Sequence, residues 1–249
     1  MAAAAADLPS AERILVCVPT YNEAAHVSTI VARLEALRRP LDILFIDDDS
    51  PDGTGRLLDA IAADHKDVRV RHRPRKLGIG SAHLDGIRWA YAQGYRTLIT
   101  MDCDFSHTPE LIPAFVEAVG DRAVIVGSRY VTPGALPGWS VFRKVLTFLG
   151  HRLTVVLLGM PYDATGAFRL YRLDRVPAAL FERVTSMGYA FFFESLYILH
   201  RHNVSIGEVP IQLPARSAGN SKMSFIEIVR SLLKLVALYR IARRARTRA

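Results

Sequence analysis

Two carboxylates, Asp102 and Asp104, stand one residue apart behind the apolar run Thr97–Met101. Acids spaced this way on a tight loop can hold a hard divalent cation together with the diphosphate oxygens it bridges. A second acidic run, Asp47-Asp48-Asp49, closes the apolar stretch Leu41–Ile46. Asp48 there can accept hydrogen bonds from a base or ribose, or cap the next helix, while Asp52 in Ser50-Pro51-Asp52-Gly53 is suited to shaping a turn. Gly78-Ile79-Gly80 lacks the third glycine and the distal acid of a dinucleotide fingerprint. It reads instead as a close backbone approach to a phosphate, or as a helix cap. His26, His72, His83 and His200 are scattered without ligand spacing, and His107 merely follows the Asp102 loop, so these five carry little weight.

A parallel scaffold would bring these groups together. Ile14–Val18, Leu41–Ile46, Val68–His72, Thr97–Met101 and Ala123–Gly127 read as strands. Glu23–Leu37, Thr54–Ala63, Ser81–Gln93 and Leu111–Val119 read as the helices between them. The alternation predicts an α/β fold with a mostly parallel sheet flanked by helices. Such sheets bind ligands beyond the carboxyl ends of their strands. The polar groups follow Val18, Ile46, Met101 and Gly127, so one site built from four loops is expected. Beyond residue 130 the pattern changes. Val145–Leu158 reads as an amphipathic helix, Phe181–His202 as an aromatic-rich and largely helical segment, Glu208–Leu213 as a short strand, and Ser224–Arg246 as a helix with a basic end. Tyr189–Phe193 fits core or groove wall better than a cofactor box.

Taken in order, the motifs resemble one family. They are Pro19-Thr20-Tyr21-Asn22-Glu23, Ile46-Asp47-Asp48-Asp49-Ser50-Pro51-Asp52-Gly53-Thr54, Lys76-Leu77-Gly78-Ile79-Gly80-Ser81-Ala82, Met101-Asp102-Cys103-Asp104-Phe105-Ser106-His107 and Gly127-Ser128-Arg129-Tyr130. Gly138-Trp139 with Arg143-Lys144, Asp163 through Arg172, Gly207 through Ile211, and Arg216 with Gly219 through Lys222 continue the series. The chain thus resembles the dolichol- or polyprenol-phosphate mannosyltransferases of the inverting family 2 glycosyltransferases, over roughly residues 12 to 235. The early motifs are common to many family 2 enzymes; those from Asp163 onward are narrower.

The resemblance implies a glycosyltransferase A-type, Rossmann-like fold, with GDP-mannose as donor and a polyprenyl phosphate as acceptor. It implies that Pro19, Tyr21, Glu23, Ile46 and Asp48 hold the nucleoside. Asp102 and Asp104 would hold Mg2+ or Mn2+ on the diphosphate, with the Cys103 backbone near the sugar nucleotide. Arg129, Arg143 and Arg216 would meet donor and acceptor phosphates, assisted by Lys222; arginine pairs phosphate bidentately and lysine acts as a point charge. Some positions depart from the pattern. Cys103 replaces a frequent Ala, Ser106 stands where some members place a Gln metal ligand, and Gly150-His151-Arg152 replaces the usual Gly-Ala-Asn, adding cationic potential near the acceptor groove. Ala167 replaces a Gly or Ser, and Pro214-Ala215 precedes Arg216 where an acid is common. These last changes bear on the acceptor more than on the donor. A phosphate monoester, with a second pKa of about 6, is already largely a dianion at neutral pH. The transfer is therefore expected to need positioning and charge stabilisation rather than an acid–base residue.

Composition restricts the alternatives. The 249 residues are 50% hydrophobic, enough for a substantial core. Net charge is +8, yet nine basic residues against one acid, Glu227, fall from Arg216 onward, leaving a formally neutral body. That distribution argues against a nucleic-acid binder and for a local anionic surface. Five arginines lie among the last ten residues, and a basic amphipathic helix of this kind lies in a membrane interface. Cys17 and Cys103 fit buried thiols in a reducing compartment, and the Ala-rich start lacks the flanks of a signal peptide. Val145–Met160 and Phe225–Ile241 are interrupted by His151 with Arg152 and by Glu227, Arg230 and Lys234, so no spanning helix is expected. The expected organisation is a flexible tail at 1–11, a catalytic domain at 12–223 and an interfacial helix at 224–249, peripheral on the cytoplasmic face of a membrane. A separate membrane-anchoring partner protein is left open. So are a related transfer of another sugar, such as glucose from UDP-glucose, or to a soluble acceptor, and a non-catalytic surface subunit.

Overall fold

Strand β1 (Ile14–Thr20) shows how the apolar runs become a two-sided core. Side chains alternate across a strand, so Leu15 and Cys17 enter one hydrophobic cluster while Val16 and Val18 enter the other. In β2 (Leu41–Asp47), Leu44 and Ile46 oppose Ile43 and Phe45 in the same way. Each such residue is fully or nearly fully buried, and full burial contributes about 1.5–3 kcal/mol per side chain.

The computed structural model describes residues 10–214 and 225–246. Among them, β3 (Val68–His72), β4 (Thr97–Thr100), β5 (Val124–Ser128), β6 (Arg169–Arg172) and β7 (Ile206–Pro210) complete one sheet. Its order is β3-β2-β1-β4-β6-β5-β7. All pairings are parallel except those of β6, which runs antiparallel between β4 and β5. The helices are α1 (Val27–Glu35), α2 (Thr54–Asp64), α3 (Ile79–Ala92), α4 (Ile112–Val119), α5 (Val141–Leu158), α6 (Ala179–Glu182), α7 (Phe191–Arg201) and α8 (Phe225–Arg246). α1, α2 and α4 cover one face of the sheet, and α3, α6, α7 and α8 the other, giving the mixed α/β sandwich expected from the alternation.

Four elements differ from the sequence reading. β6 was not expected, because Arg-Leu-Tyr-Arg reads as polar at both ends, yet Arg169 is fully buried. Phe181–His202, expected to be largely helical, is helical at its two ends, in α6 and α7, and interrupted between them. The chain folds back at residues 183–190, where the Glu194 carboxylate accepts the Thr185 and Ser186 amides at 3.3 and 2.8 Å. α5 begins four residues early, at Val141, because Ser140 caps it by accepting the Arg143 amide. β7 begins at Ile206 rather than Glu208, in parallel register with β5.

Gly78 and Gly80 serve packing inside the chain. Gly78 has φ of +99°, and a β-carbon there would lie 2.5 Å from the Met187 carbonyl. One on Gly80 would lie 2.5 Å from Phe191 Cβ and 2.6 Å from the Gly188 carbonyl. The start of α3 is pressed against the 187–191 segment, and Ser81 N–H donates to Met187 C=O at 3.0 Å. The close approach inferred from these glycines is thus to the chain's own backbone.

Candidate active site

The parallel strands β1, β2 and β4 and strand β5 all end at one edge of the sheet, and antiparallel β6 begins there. Pro19 lies opposite Ile46 in register, and Asp48 N–H donates to Thr20 C=O at 3.1 Å. Tyr21 follows β1 with Lys76 Nζ 4.0 Å from its ring centroid. Glu23 is buried, its carboxylate 2.6 Å from His26 Nδ1 and its amide on Thr54 Oγ1 at 2.9 Å. The structure therefore gathers the five expected nucleoside residues at one corner. Asp48 is buried there beside Arg73, Nη1 to Oδ1 2.8 Å, and accepts the Leu77 N–H at 3.2 Å. Burial pushes the Asp48 carboxyl up, against the pull of Arg73 and the Leu77 amide. Arg73 also lies 3.2 Å from Asp85 and bonds Ser81 Oγ. Asp52 accepts from Thr54 N and Oγ1 and from Ala24 N, so it holds the turn.

Across β1, the Asp102–Asp104 loop leaves β4 through a positive φ at Phe105, +59°. Asp104 Oδ1 accepts the Ser106 amide at 3.1 Å and its hydroxyl. Cys103 is a buried thiol outside any disulfide, as is Cys17. The loop is anchored by a residue that nothing in its sequence spacing singles out. Buried His107 accepts the Asp102 N–H on Nδ1 at 2.9 Å, which puts the imidazole proton on Nε2. Its ring packs on Phe168 with centroids 5.2 Å apart. Burial lowers its pKa, while Asp102, Asp104 and Asp163 act to raise it and Arg129 to lower it. The two loop carboxylates and the Arg129–Asp163 pair thus surround one neutral imidazole.

Arg129 follows β5 and is buried against Asp163. Nε donates to Oδ2 at 2.7 Å, Nη2 to Oδ1 at 2.6 Å, and the Arg129 amide to Oδ2 at 3.1 Å. Expected as a phosphate ligand, Arg129 has two of its three guanidinium nitrogens committed to a carboxylate, and only Nη1 lies outside that pair. Burial alone would raise the Asp163 carboxyl, but Arg129 holds it below its ordinary range. Arg143, on α5, stacks on Trp139 with Cζ 3.8 Å from the ring centroid. Arg216 and Lys222 lie outside the described residues.

Arg169 lies within the Asp163–Arg172 motif and has a structural task there. Its buried guanidinium bonds the carbonyls of Gly166, Ala164 and Phe192 and the hydroxyl of Ser195, tying the 163–168 loop to α7. Its hydrogen-bond partners among the described residues are all neutral. Phe191–Phe193 are core, as expected. His151, expected to add charge, is neutralised by burial and stacks on Tyr130. No sequence signal distinguishes His107 or His151, because their roles depend on what the fold places beside them.

Residues 15–176 match the family described as Glycosyl transferase family 2. The chain belongs to this family. This family 2 transferase is 38% identical over 213 residues to the undecaprenyl-phosphate mannosyltransferase of Micrococcus luteus, covering 85% of this chain and 88% of that one. It is 38% identical over 227 residues to the polyprenol monophosphomannose synthase of Mycolicibacterium smegmatis, covering 90% and 86%. In fold it is similar to mannosyl-3-phosphoglycerate synthase from Rubrobacter xylanophilus, with TM-score 0.62 and 20% identity over 95% of this chain and 74% of that one. It is also similar to the mannosyltransferase PcManGT from Pyrobaculum calidifontis, solved with GDP-Man and Mn2+, with TM-score 0.59 and 17% identity over 95% and 68%.

The donor set on the Asp102 loop fits a hard cation. Among the described residues no group of three His, Cys, Asp or Glu could enclose a metal. Two carboxylates on one loop, with further positions left to diphosphate oxygens and water, are what Mg2+ or Mn2+ takes beside a nucleotide.

Proposed function

We propose that the chain transfers mannose from GDP-mannose to a polyprenyl phosphate, with inversion, on the cytoplasmic face of a membrane. The observation that carries this reading is the adjacency of the sheet edge bearing Asp102, Asp104 and Arg129 to a long helix with an exposed apolar surface. Arg143 and the Tyr130 contacts lie on α5, which also exposes Val141, Phe142, Val145, Leu146, Phe148 and Leu149, Val141 and Phe142 at 78% and 74%. α5 packs on α8, which exposes Ile226, Leu232, Leu233, Val236 and Ile241. Exposed apolar area on this scale suits a lipid surface, and Lys144, Arg152, Arg230 and Arg240 supply cations for anionic headgroups at about 1 kcal/mol each. Among the described residues no helix is long and apolar enough to cross a membrane. The names of the two 38% relatives support a polyprenyl acceptor. A separate membrane-anchoring protein remains compatible with the same surface.

Pro19, Tyr21, Glu23, Ile46 and Asp48 hold the nucleoside in this reading, and Asp102 and Asp104 hold Mg2+ or Mn2+. When bound, the cation supplies charge neutralisation on the diphosphate leaving group. The acceptor phosphate is its own nucleophile, so the chain orients it rather than deprotonating it. Arg143, Arg216, Lys222 and the free edge of Arg129 offset repulsion between acceptor and donor. Asp163 fixes the plane of the Arg129 fork, and His107 fixes the Asp102 backbone. The test is incubation of purified protein with GDP-mannose, Mg2+ or Mn2+ and a short polyprenyl phosphate, with mass detection of a mannosyl lipid. UDP-glucose and UDP-N-acetylglucosamine are run in parallel. Product from UDP-glucose alone, or no lipid product from any donor, would refute the reading.

A further inference from the structure

We propose that His151 is a positioning residue for the acceptor phosphate, acting through Tyr130 to lock the Arg129 segment onto helix α5. This rests on the reading above, in which Arg129 and α5 flank the acceptor. Tyr130 follows Arg129 directly, and α5 holds it at both ends. Its hydroxyl donates to the Thr147 carbonyl at 3.0 Å. Its ring lies face to face with His151, centroids 3.8 Å apart and planes 11° off parallel. Arg143, Thr147 and His151 are spaced four apart and share one ridge of the helix. The clamp on Tyr130 and the expected phosphate arginine of α5 therefore belong to one rigid element.

His151 is suited to stacking rather than to carrying charge. The groups that face it are Tyr130, Arg129, Asp163 and Glu208 from the body and Arg152 on its own helix, and burial outweighs their mixed signs to keep the ring neutral. Its Nδ1 is buried without a hydrogen-bond partner among the described residues. A proton there would have no acceptor, so the neutral ring carries it on Nε2. What remains is a flat, uncharged surface on Tyr130. Arg129 Cζ also sits 5.6 Å from the Tyr130 ring centroid and is pinned by Asp163. A shift of α5 at the lipid surface therefore moves Tyr130 and the backbone of Arg129 together. The nucleoside corner, on β1 and β2 across the sheet, has no described contact with this clamp.

The experiment compares the full-length wild type with His151→Ala and His151→Phe. Acceptor KM is read at saturating GDP-mannose, GDP affinity by calorimetry, and hydrogen exchange of the peptide spanning Ser128–Ala135 by mass spectrometry. His151→Ala should raise acceptor KM roughly three- to ten-fold, the range an aromatic pair supplies. It should also speed exchange in that peptide and leave GDP affinity and kcat near wild type. His151→Phe keeps the flat ring and should restore both KM and exchange. The proposal is overturned if His151→Ala changes neither readout, if GDP affinity falls in step with KM, or if His151→Phe behaves like His151→Ala. Should the wild type make no mannosyl lipid, the proposed reaction fails, while the exchange comparison still decides whether the clamp exists.

Discussion

Asp163→Asn tests whether Arg129 is primarily a surface for phosphate or an anchored part of the scaffold. The change keeps the shape of the side chain and removes its charge. Asp163 accepts Arg129 Nε, Nη2 and backbone N–H, and the side chain of Arg129 is 9% exposed while that of Asp163 is fully buried. Removing one partner leaves a cation buried without its counter-ion, which costs about 3–5 kcal/mol. That is a large share of the 5–15 kcal/mol typical of a folded domain. With a urea m-value of about 2–3 kcal/mol/M, the unfolding midpoint should fall by roughly 1–2.5 M. The pH dependence follows from the depressed pKa of Asp163. Its contribution is fully present above the unfolded carboxylate pKa of about 4 and is lost as pH falls through the lower folded value. Wild type should therefore lose part of its stability below pH ~4, and Asp163→Asn should show a flatter acid limb. Arg129→Met with Asp163→Leu should recover much of the loss, because a fully apolar replacement leaves no orphaned charge. The assay is urea unfolding followed by tryptophan fluorescence at pH 7 and at steps toward pH 3. An unchanged midpoint at pH 7, with acceptor binding alone impaired, would show that the pair does not carry the fold.

Further expectations concern other parts of the molecule. Asp104→Ala should reduce turnover to near background, because the loop then loses one of the two carboxylates proposed to hold the cation; retained activity with a full Mn2+ response would remove it from the site. Gly80→Ala should destabilise by about 1–3 kcal/mol, because the added carbon meets backbone at Gly188 and Phe191 Cβ, and a thermal melt at wild-type temperature would contradict that packing. Lys234→Met removes the cation 2.7 Å from buried Glu194 and should loosen α8, read as faster hydrogen exchange in residues 225–246; equal exchange would mean the helix is held by its apolar contacts alone. Phe142→Asp with Phe148→Asp should cut partition onto anionic vesicles by at least ten-fold, from about 1.5–3 kcal/mol per lost aromatic, and leave GDP affinity intact. Undiminished vesicle binding would take α5 out of the interface.

The legible part of the fold was the part governed by hydrophobic period. β1, β2, β4 and β5 are apolar runs bounded by turn residues, as strands covered on both faces must be, while the edge strand β3 alternates as Val-Arg-Val-Arg-His. Loops that follow such strands inherit their position, so Pro19, Asp48, Asp102 and Arg129 could be placed at one edge from sequence. What escaped was set by contacts between distant segments. Arg169 reads as a surface arginine until three carbonyls and a serine from the 163–168 loop and α7 converge on it. Asp163 reads as a loop acid until Arg129 arrives from 34 residues away. The break at residues 183–190 is invisible to periodicity, because Glu194 satisfies the freed amides through the fold-back itself.

The reversed strand β6 explains why these unseen groups cluster at the site. A parallel strand in that position would place its incoming loop at the opposite edge of the sheet. Running antiparallel between β4 and β5, β6 delivers residues 163–168 to the edge where the Asp102 loop and Arg129 already stand. That single reversal brings Asp163 to Arg129, Phe168 to His107 and the Ala167 carbonyl to Thr100 Oγ1, where it accepts a hydrogen bond at 2.7 Å. The donor loops come from the regular half of the sheet, and their anchoring comes from the irregular half. Substitutions that disturb β6 should therefore disorder the Asp102 and Arg129 loops together, whereas those on β2 or β3 should affect the nucleoside corner alone.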